Sequence, residues 1–362
     1  MKKVISILIS ILIFGIVLIL LFAPKKDFSY NENRYLTKFP VLNVENIISG
    51  KFMTQLDDYI ADNFPFREKL LSFKSKLYKT VGVYKQNDVY YGYDFKLYQE
   101  YKKPTNSDVI IKRVNRLKEN INGKVYFMLV PTAIYVNNDQ ISKFNNSFDE
   151  GKTIDYYKEK LNVNFIDVRE TFDINKDDYL YYGTDHHWTT RGANLAYLEY
   201  CKRVGINCNK YDFSVVNDKF YGTLYSKVLD NSLKYDYIEK ANDNTNYSVY
   251  FDDDKNYSNS LYNYKYLDKK DKYSFFLDNN HSLISIENLD SKNENSLLII
   301  KDSYANAFVP LIASNYKYVY VIDPRYYNLS ISDYVNDKKI NEILFIYNVL
   351  TIDEDLGIVS IR

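Results

Sequence analysis

The sequence predicts an α/β fold: a parallel sheet flanked by helices, with a polar β-rich insertion and an N-terminal transmembrane helix. Three observations predict it. Short uninterrupted apolar runs alternate with helical patterns, as strands buried on both faces do. Between them, from about 209 to 295, such runs become scarce and Asp, Asn, Tyr, Ser and Lys dominate. Near the start lies "VISILISILIFGIVLILLFA" (Val4–Ala23), 20 apolar or small residues without a charge. At 1.5 Å per residue such a run spans about 30 Å, the thickness of a bilayer core.

That run is longer than the apolar core of a signal peptide, and Pro24 after Ala23 disfavours cleavage there. An uncleaved anchor is the expectation, with a cleaved signal as the alternative. Lys2 and Lys3 are matched by Lys25 and Lys26, so flanking charge sets orientation weakly. Residues 1–26 are therefore read as the membrane segment, 27–106 as a juxtamembrane helical and hairpin region, and 107–362 as the main domain. In the second region, Phe52, Leu56, Ile60, Leu70, Leu71, Phe73 and Leu77 recur mostly at helical steps, broken near Pro65. "VYYGYDFKLYQ" (Val89–Gln99) reads as a hairpin around Gly92.

In the main domain, Ser107–Ile121 has helical period behind a capping residue. The predicted buried strands are Lys124–Thr132, Val163–Val168, Leu297–Ser303, Tyr318–Asp323 and Glu342–Val349. Helices are predicted over Asp155–Leu161, Thr190–Val204, Tyr304–Ser314 and Ile331–Lys338. The insertion is read as short antiparallel strands, with a partly mobile loop as the alternative.

Composition narrows the function. Apolar residues make up 46%, enough for a packed core. Lys+Arg and Asp+Glu are both 47, which argues against nucleic-acid binding. The 39 tyrosines fit A/T-rich codons, or tyrosine faces lining a carbohydrate groove. Cys201 and Cys208 are the only cysteines; Gly205 between them lets the chain turn back, so a disulfide is sterically possible.

Two stretches carry chemistry. In "LLIIKDSYANAFVPLIA" (Leu297–Ala313), Ser303 follows a buried strand and opens a helix. That is the rim where α/β sheets bind ligands, and the helix N–H groups there can hold an oxyanion. A plain N-cap is the simpler reading of Ser303. "YYGTDHHWTTRGA" (Tyr181–Ala193) holds two of the three histidines and the only tryptophan. If it is extended, Asp185 and His187 share a side and His186 faces away. A carboxylate beside an imidazole fixes its tautomer, as a serine nucleophile requires. A structural turn anchored by a buried Trp188 stays open. A metal site fits poorly, since the remaining histidine, His281, lies in the insertion.

"GTDHHWTTRGA" and "IIKDSYANAFVPLIA", with "ENRYLTKFP", "DNFPFREKL", "FMLVPTAIYV", "FYGTLYSK" and "YVIDPRYYN", resemble the DHHW protein family. That family is similar to alginate O-acetyltransferases with an SGNH-hydrolase-like domain. The resemblance implies an SGNH-hydrolase-like sheet, Ser303 as nucleophile, His187 as general base, Asp185 as its orienting carboxylate, and the Ser303 backbone N–H as an oxyanion donor. Gly222, Asn306, Arg325 and Trp188 are candidates for substrate or oxyanion contacts. Lys301 stands where relatives often have Gly, so a less permissive nucleophile turn is expected. No cofactor and no metal are implied. The implied activity is O-acetylation of an exopolysaccharide, cellulose-like or other, or of a cell-wall glycan. The domain would be extracytoplasmic and held at the cell membrane by its N-terminal helix. A multi-spanning membrane O-acyltransferase would supply acetyl groups to the polysaccharide acceptor. A carbohydrate acetylesterase on the same site, a non-catalytic glycan-binding scaffold and a metal-dependent hydrolase are the alternatives.

Overall fold

The computed structural model describes residues 2–22 and 24–361. The N-terminal run forms helix α1 (Lys2–Phe22), long and apolar enough to cross a membrane, a test a signal sequence also passes. The cleavage question falls on Ala23, which lies outside the described residues.

By its contacts the chain divides into two units, Met1–Asn87 with Tyr225–Leu233, and Asp88–Leu224 with Lys234–Arg362. In the first, helices Lys51–Asp62 and Arg67–Thr80 are separated around Pro65. Buried Asp62 accepts hydrogen bonds from Arg34, Thr37 N and Thr37 Oγ1 there. The division falls at Asn87 rather than 106. The hairpin of Val89–Tyr91 and Leu97–Gln99 belongs to the larger unit, where Leu97 N donates to Gly183 O at 2.8 Å.

The larger unit is α/β around an eight-stranded, mostly parallel sheet. Its strands are β1 (Lys124–Val130), β2 (Asn164–Ile166), β3 (Tyr247–Phe251), β4 (Asn256–Ser258), β5 (Leu283–Asn288), β6 (Ser296–Lys301), β7 (Tyr318–Ile322) and β8 (Glu342–Asn348). Their order is β4-β3-β5-β7-β6-β8-β1-β2. From β7 to β2 all neighbours are parallel. Both faces of β1, β6 and β8 are covered, which is why their interiors are runs of apolar residues. Leu297 and Ile299 of β6 join the core that includes helices α4 (Thr190–Val204) and α5 (Ala305–Ile312). Leu298 and Ile300 join the other, with α2 (Ser107–Glu119), α3 (Glu150–Lys160) and helix Ile331–Lys338.

The insertion forms short antiparallel strands, as expected. Its strands β3, β4 and β5 extend the main sheet antiparallel, with β5 beside β7. Residues of β3 and β5 alternate between buried and half-buried, because one face of this sheet edge is only partly covered. Alternation, rather than a continuous apolar run, is the pattern such strands write into a sequence. The remaining ribbon, Phe213–Phe220 against Asp236–Ala241, forms its own two-stranded sheet.

Helix α4 ends at Gly205, whose left-handed φ of 81° turns the chain back, and Cys201 and Cys208 are disulfide-bonded with Cα atoms 5.7 Å apart.

Candidate active site

Strand β6 lies between β7 and β8, so Lys301-Asp302-Ser303 leaves the carboxyl end of a central strand. Asp302 is fully buried. It accepts from Tyr304 N (2.9 Å), Asn348 N (2.9 Å), Asn348 Nδ2 (2.8 Å) and Thr351 Oγ1. This carboxylate, not Ser303, caps the turn into α5 and pins the loop to the end of β8. Burial pushes its pKa up against those bonds. The Ser303 hydroxyl is left for another partner.

That partner comes from the segment before α4. Tyr181 and Trp188 form an isolated antiparallel bridge, so the residues between them make a tight loop rather than an extended stretch. Asp236, from the insertion, accepts from Gly183 N, Thr184 N, Thr184 Oγ1 and Tyr179 OH at 2.5–2.8 Å and holds the loop from behind. Within the loop His187 Nδ1 lies 2.6 Å from Asp185 Oδ1, and His187 Nε2 lies 2.8 Å from Ser303 Oγ. An ionised carboxylate only accepts, so Nδ1 carries a proton, which leaves Nε2 facing the serine hydroxyl. Burial alone would push the Asp185 carboxyl up. The His186 and His187 rings, the His187 hydrogen bond and the Thr223 N–H outweigh that and hold it well below the usual carboxylate range.

The loop geometry corrects the alternation argument. His186 does not face away: its ring centroid is 3.8 Å from that of His187, and its Nδ1 is 3.6 Å from Asp185 Oδ1. Its Nδ1 also lies 2.7 Å from Thr223 Oγ1. Asp185, His186 and His187 thus bring potential ligand atoms within 4.8 Å of one another, although both nitrogens of His187 already have partners.

A family model described as DHHW protein matches residues 82–322, well over half of the chain. The chain belongs to the DHHW family. Among solved structures it is similar to a DHHW family protein from Eubacterium siraeum, at 24% identity over 76% of this chain and 96% of that one, with a TM-score of 0.68. It is also similar to Bacillus cereus PatB1 bearing a sulfonyl adduct, at 22% identity over 74% and 97%, with a TM-score of 0.61. The O-acetyltransferase domain of Pseudomonas putida AlgJ matches at 14% identity over 73% and 92%, with a TM-score of 0.47. No curated protein matches.

In this DHHW protein the other candidate residues sit around the Asp185–His187–Ser303 row but take no place in it. Gly222 lies against Asp185, where an added Cβ would come within 2.2 Å of the carboxylate, and its N–H donates to Thr184 Oγ1 at 3.2 Å. It is a close-approach glycine rather than an oxyanion donor. The next residue, Thr223, gives Asp185 Oδ2 its N–H (2.7 Å) and hydroxyl (3.0 Å). Trp188 is fully buried; its Nε1–H donates to Tyr304 O at 2.8 Å, while Tyr304 OH donates to His186 O at 2.6 Å. These reciprocal bonds join the two halves of the site, so Trp188 is an anchor and not a substrate contact. Asn306 is buried and spends its Nδ2 on Asn280 Oδ1 (3.1 Å) and Asn279 O (3.4 Å). Arg325 grips Asp323 with Nε (2.8 Å) and Nη2 (2.5 Å), which occupies it within the protein.

Lys301 does not distort the turn. It is the last residue of β6, no residue from Lys301 to Tyr304 has a positive φ, and its wholly buried ammonium donates to Asn280 Oδ1 (2.7 Å) and Asp323 Oδ2 (3.3 Å). Sequence reasoning missed Asp236 and Thr223. "FYGT" marked the place of Thr223 but not its role, and nothing local distinguishes Asp236 from other insertion aspartates.

Proposed function

We propose that the chain is an acyl-transfer enzyme of the SGNH-hydrolase-like type, acting on a polysaccharide outside the membrane. One observation carries the reading: His187 sits between Asp185 and Ser303 at 2.6 and 2.8 Å. Ser303 Oγ attacks the acyl carbonyl carbon as His187 Nε2 takes its proton. The negative oxygen of the tetrahedral intermediate is met by the Ser303 backbone N–H. The intermediate collapses, the leaving group takes the proton from His187, and an acyl-serine remains. His187 then deprotonates an acceptor hydroxyl, which attacks the acyl carbon and releases Ser303. With a sugar hydroxyl as acceptor the product is an O-acetylated glycan; with water the same site is an esterase. The carboxylate held ionised by its imidazole and Thr223 partners supports Asp185 as the group that stabilises the imidazolium. Helix α1 is read as the anchor, with acetyl groups delivered by a multi-spanning membrane O-acyltransferase.

The full chain in detergent, given a chromogenic acetyl ester with and without an oligosaccharide, tests this. Acetylated oligosaccharide supports the transferase. Acetate release indifferent to the acceptor supports the esterase. Activity surviving Ser303→Ala and His187→Ala but lost to chelator would turn the reading to the metal-dependent alternative. No acetyl chemistry at all would favour a glycan-binding scaffold.

A further inference from the structure

The face of the His187 ring is covered by a residue from the insertion. Tyr273 lies in a short 3-10 turn, Lys272–Phe275, and is 3% exposed. Its ring centroid is 3.7 Å from that of His187, with the planes 10° apart. The His186 ring lies at 3.8 Å, and two rings cannot share one face at such distances, so His187 is held between them. The Tyr273 hydroxyl meanwhile donates to the carbonyls of Ser303 (3.2 Å) and Tyr304 (3.3 Å). One side chain therefore touches both partners of the Ser303–His187 hydrogen bond.

We propose that Tyr273 is a positioning residue for the reaction, setting the plane of the His187 ring and the depth of the Ser303 loop together. This rests on the serine–histidine reading above. Two consequences follow from the geometry. The ring plane decides whether Nε2 points at Oγ, and small misplacement of a base is costly in rate. The electron-rich phenol face also favours the imidazolium that forms when Ser303 gives up its proton. The titratable groups around this pair of rings include Asp185, His186 and Tyr182 on the loop of His187, Asp302 and Tyr304 on the nucleophile segment, and Lys270, close enough to Asp185 for their charges to interact.

The test uses the full chain in detergent, with acetyl-ester turnover and covalent modification by a sulfonyl fluoride both followed against pH. Tyr273→Leu removes the ring face and the hydroxyl. The expected result is a fall in kcat of about 100-fold with KM little changed. The acid limb of kcat/KM is expected to move down by about half a pH unit, because the imidazolium loses its aromatic neighbour. Tyr273→Phe keeps the face and loses the carbonyl contacts; a drop of about 5-fold in kcat with an unmoved acid limb is expected. A folded Tyr273→Leu protein with unchanged kcat and acid limb overturns the proposal. Should that variant not fold, an unaltered kcat in Tyr273→Phe overturns it instead. If Ser303→Ala and His187→Ala leave wild-type turnover and labelling intact, the underlying reading has failed, a result separable from any Tyr273 effect.

Discussion

The parallel part of the sheet and the insertion contribute to the same site in different ways. From the parallel part comes the proposed nucleophile: β6, buried on both faces, ends at Lys301 and delivers Ser303 at its carboxyl rim. The insertion supplies none of the three residues in the row, but much of what holds them. Asp236 secures the loop before Asp185, Thr223 binds Asp185, and Asn280 takes the buried Lys301 ammonium. The difference teaches that reacting groups and their supports can lie in regions with opposite sequence character. An apolar strand fixes where a residue is; polar contacts fix how it points.

The comparison can be broken at four points. The largest effect is expected from the row itself. Ser303→Ala and His187→Ala should each lower acetyl-ester turnover by about 10^4- to 10^6-fold while the thermal melt stays within a few degrees of wild type. A loss of only tenfold would sink the assignment. Next comes Asp236→Ala in the insertion. It leaves the Gly183 and Thr184 N–H groups buried without their acceptor, so a loss of about 4 kcal/mol in a urea titration is expected, together with weakened turnover. Unchanged stability would mean the insertion is not holding the loop.

Third is Lys301→Met. Asp323 keeps Arg325 but loses its second cation, so about 3 kcal/mol of stability should be lost. A neutral or stabilising outcome would show the buried pair to be dispensable. The smallest effect belongs to Glu150, which opens α3 beside the end of β1 in the parallel part. It is buried, accepts from Thr132 N (2.8 Å) and Oγ1 (2.6 Å), and burial pushes its carboxyl up to about 7. The native state then holds a proton that the unfolded chain releases above its ordinary pKa near 4.5. Stability from this group is therefore greatest below that pH and falls as pH rises toward about 7. Glu150→Gln keeps an acceptor and removes the proton. Its melting temperature should gain on wild type across that window, by the equivalent of about 2 kcal/mol, and run parallel above it. Parallel curves throughout would remove Glu150 from the account.

What the sequence made legible divides along the same line. Strands β1, β6 and β8 were readable because burial on both faces leaves continuous apolar runs, and helix Thr190–Val204 because a capping Thr189 opens it. Asp185, His187 and Ser303 stood out because histidine is rare in this chain and the serine ends such a run. The extended reading of residues 183–187 failed because the bond network of Asp236, more than forty residues away, bends them into a loop. Tyr273 was invisible for a plainer reason: it is one of 39 tyrosines, and stacking on a distant ring leaves no local pattern. Edge strands β3 and β5 are the short antiparallel strands expected in the insertion, but their place in the main sheet was not legible, because alternation looks weak in a polar, aromatic-rich stretch.

The bonds that run from Trp188 to Tyr304 and from Tyr304 back to His186 have a further consequence. They tie the segment that carries His187 to the segment that carries Ser303 through the protein's own bonds. If the proposed chemistry holds, a glycan chain is then needed as a recipient and not as a tool for assembling the machinery. Small activated esters should load Ser303 as readily as a natural donor of similar leaving-group strength, and selectivity should be exercised when the acyl group is handed on.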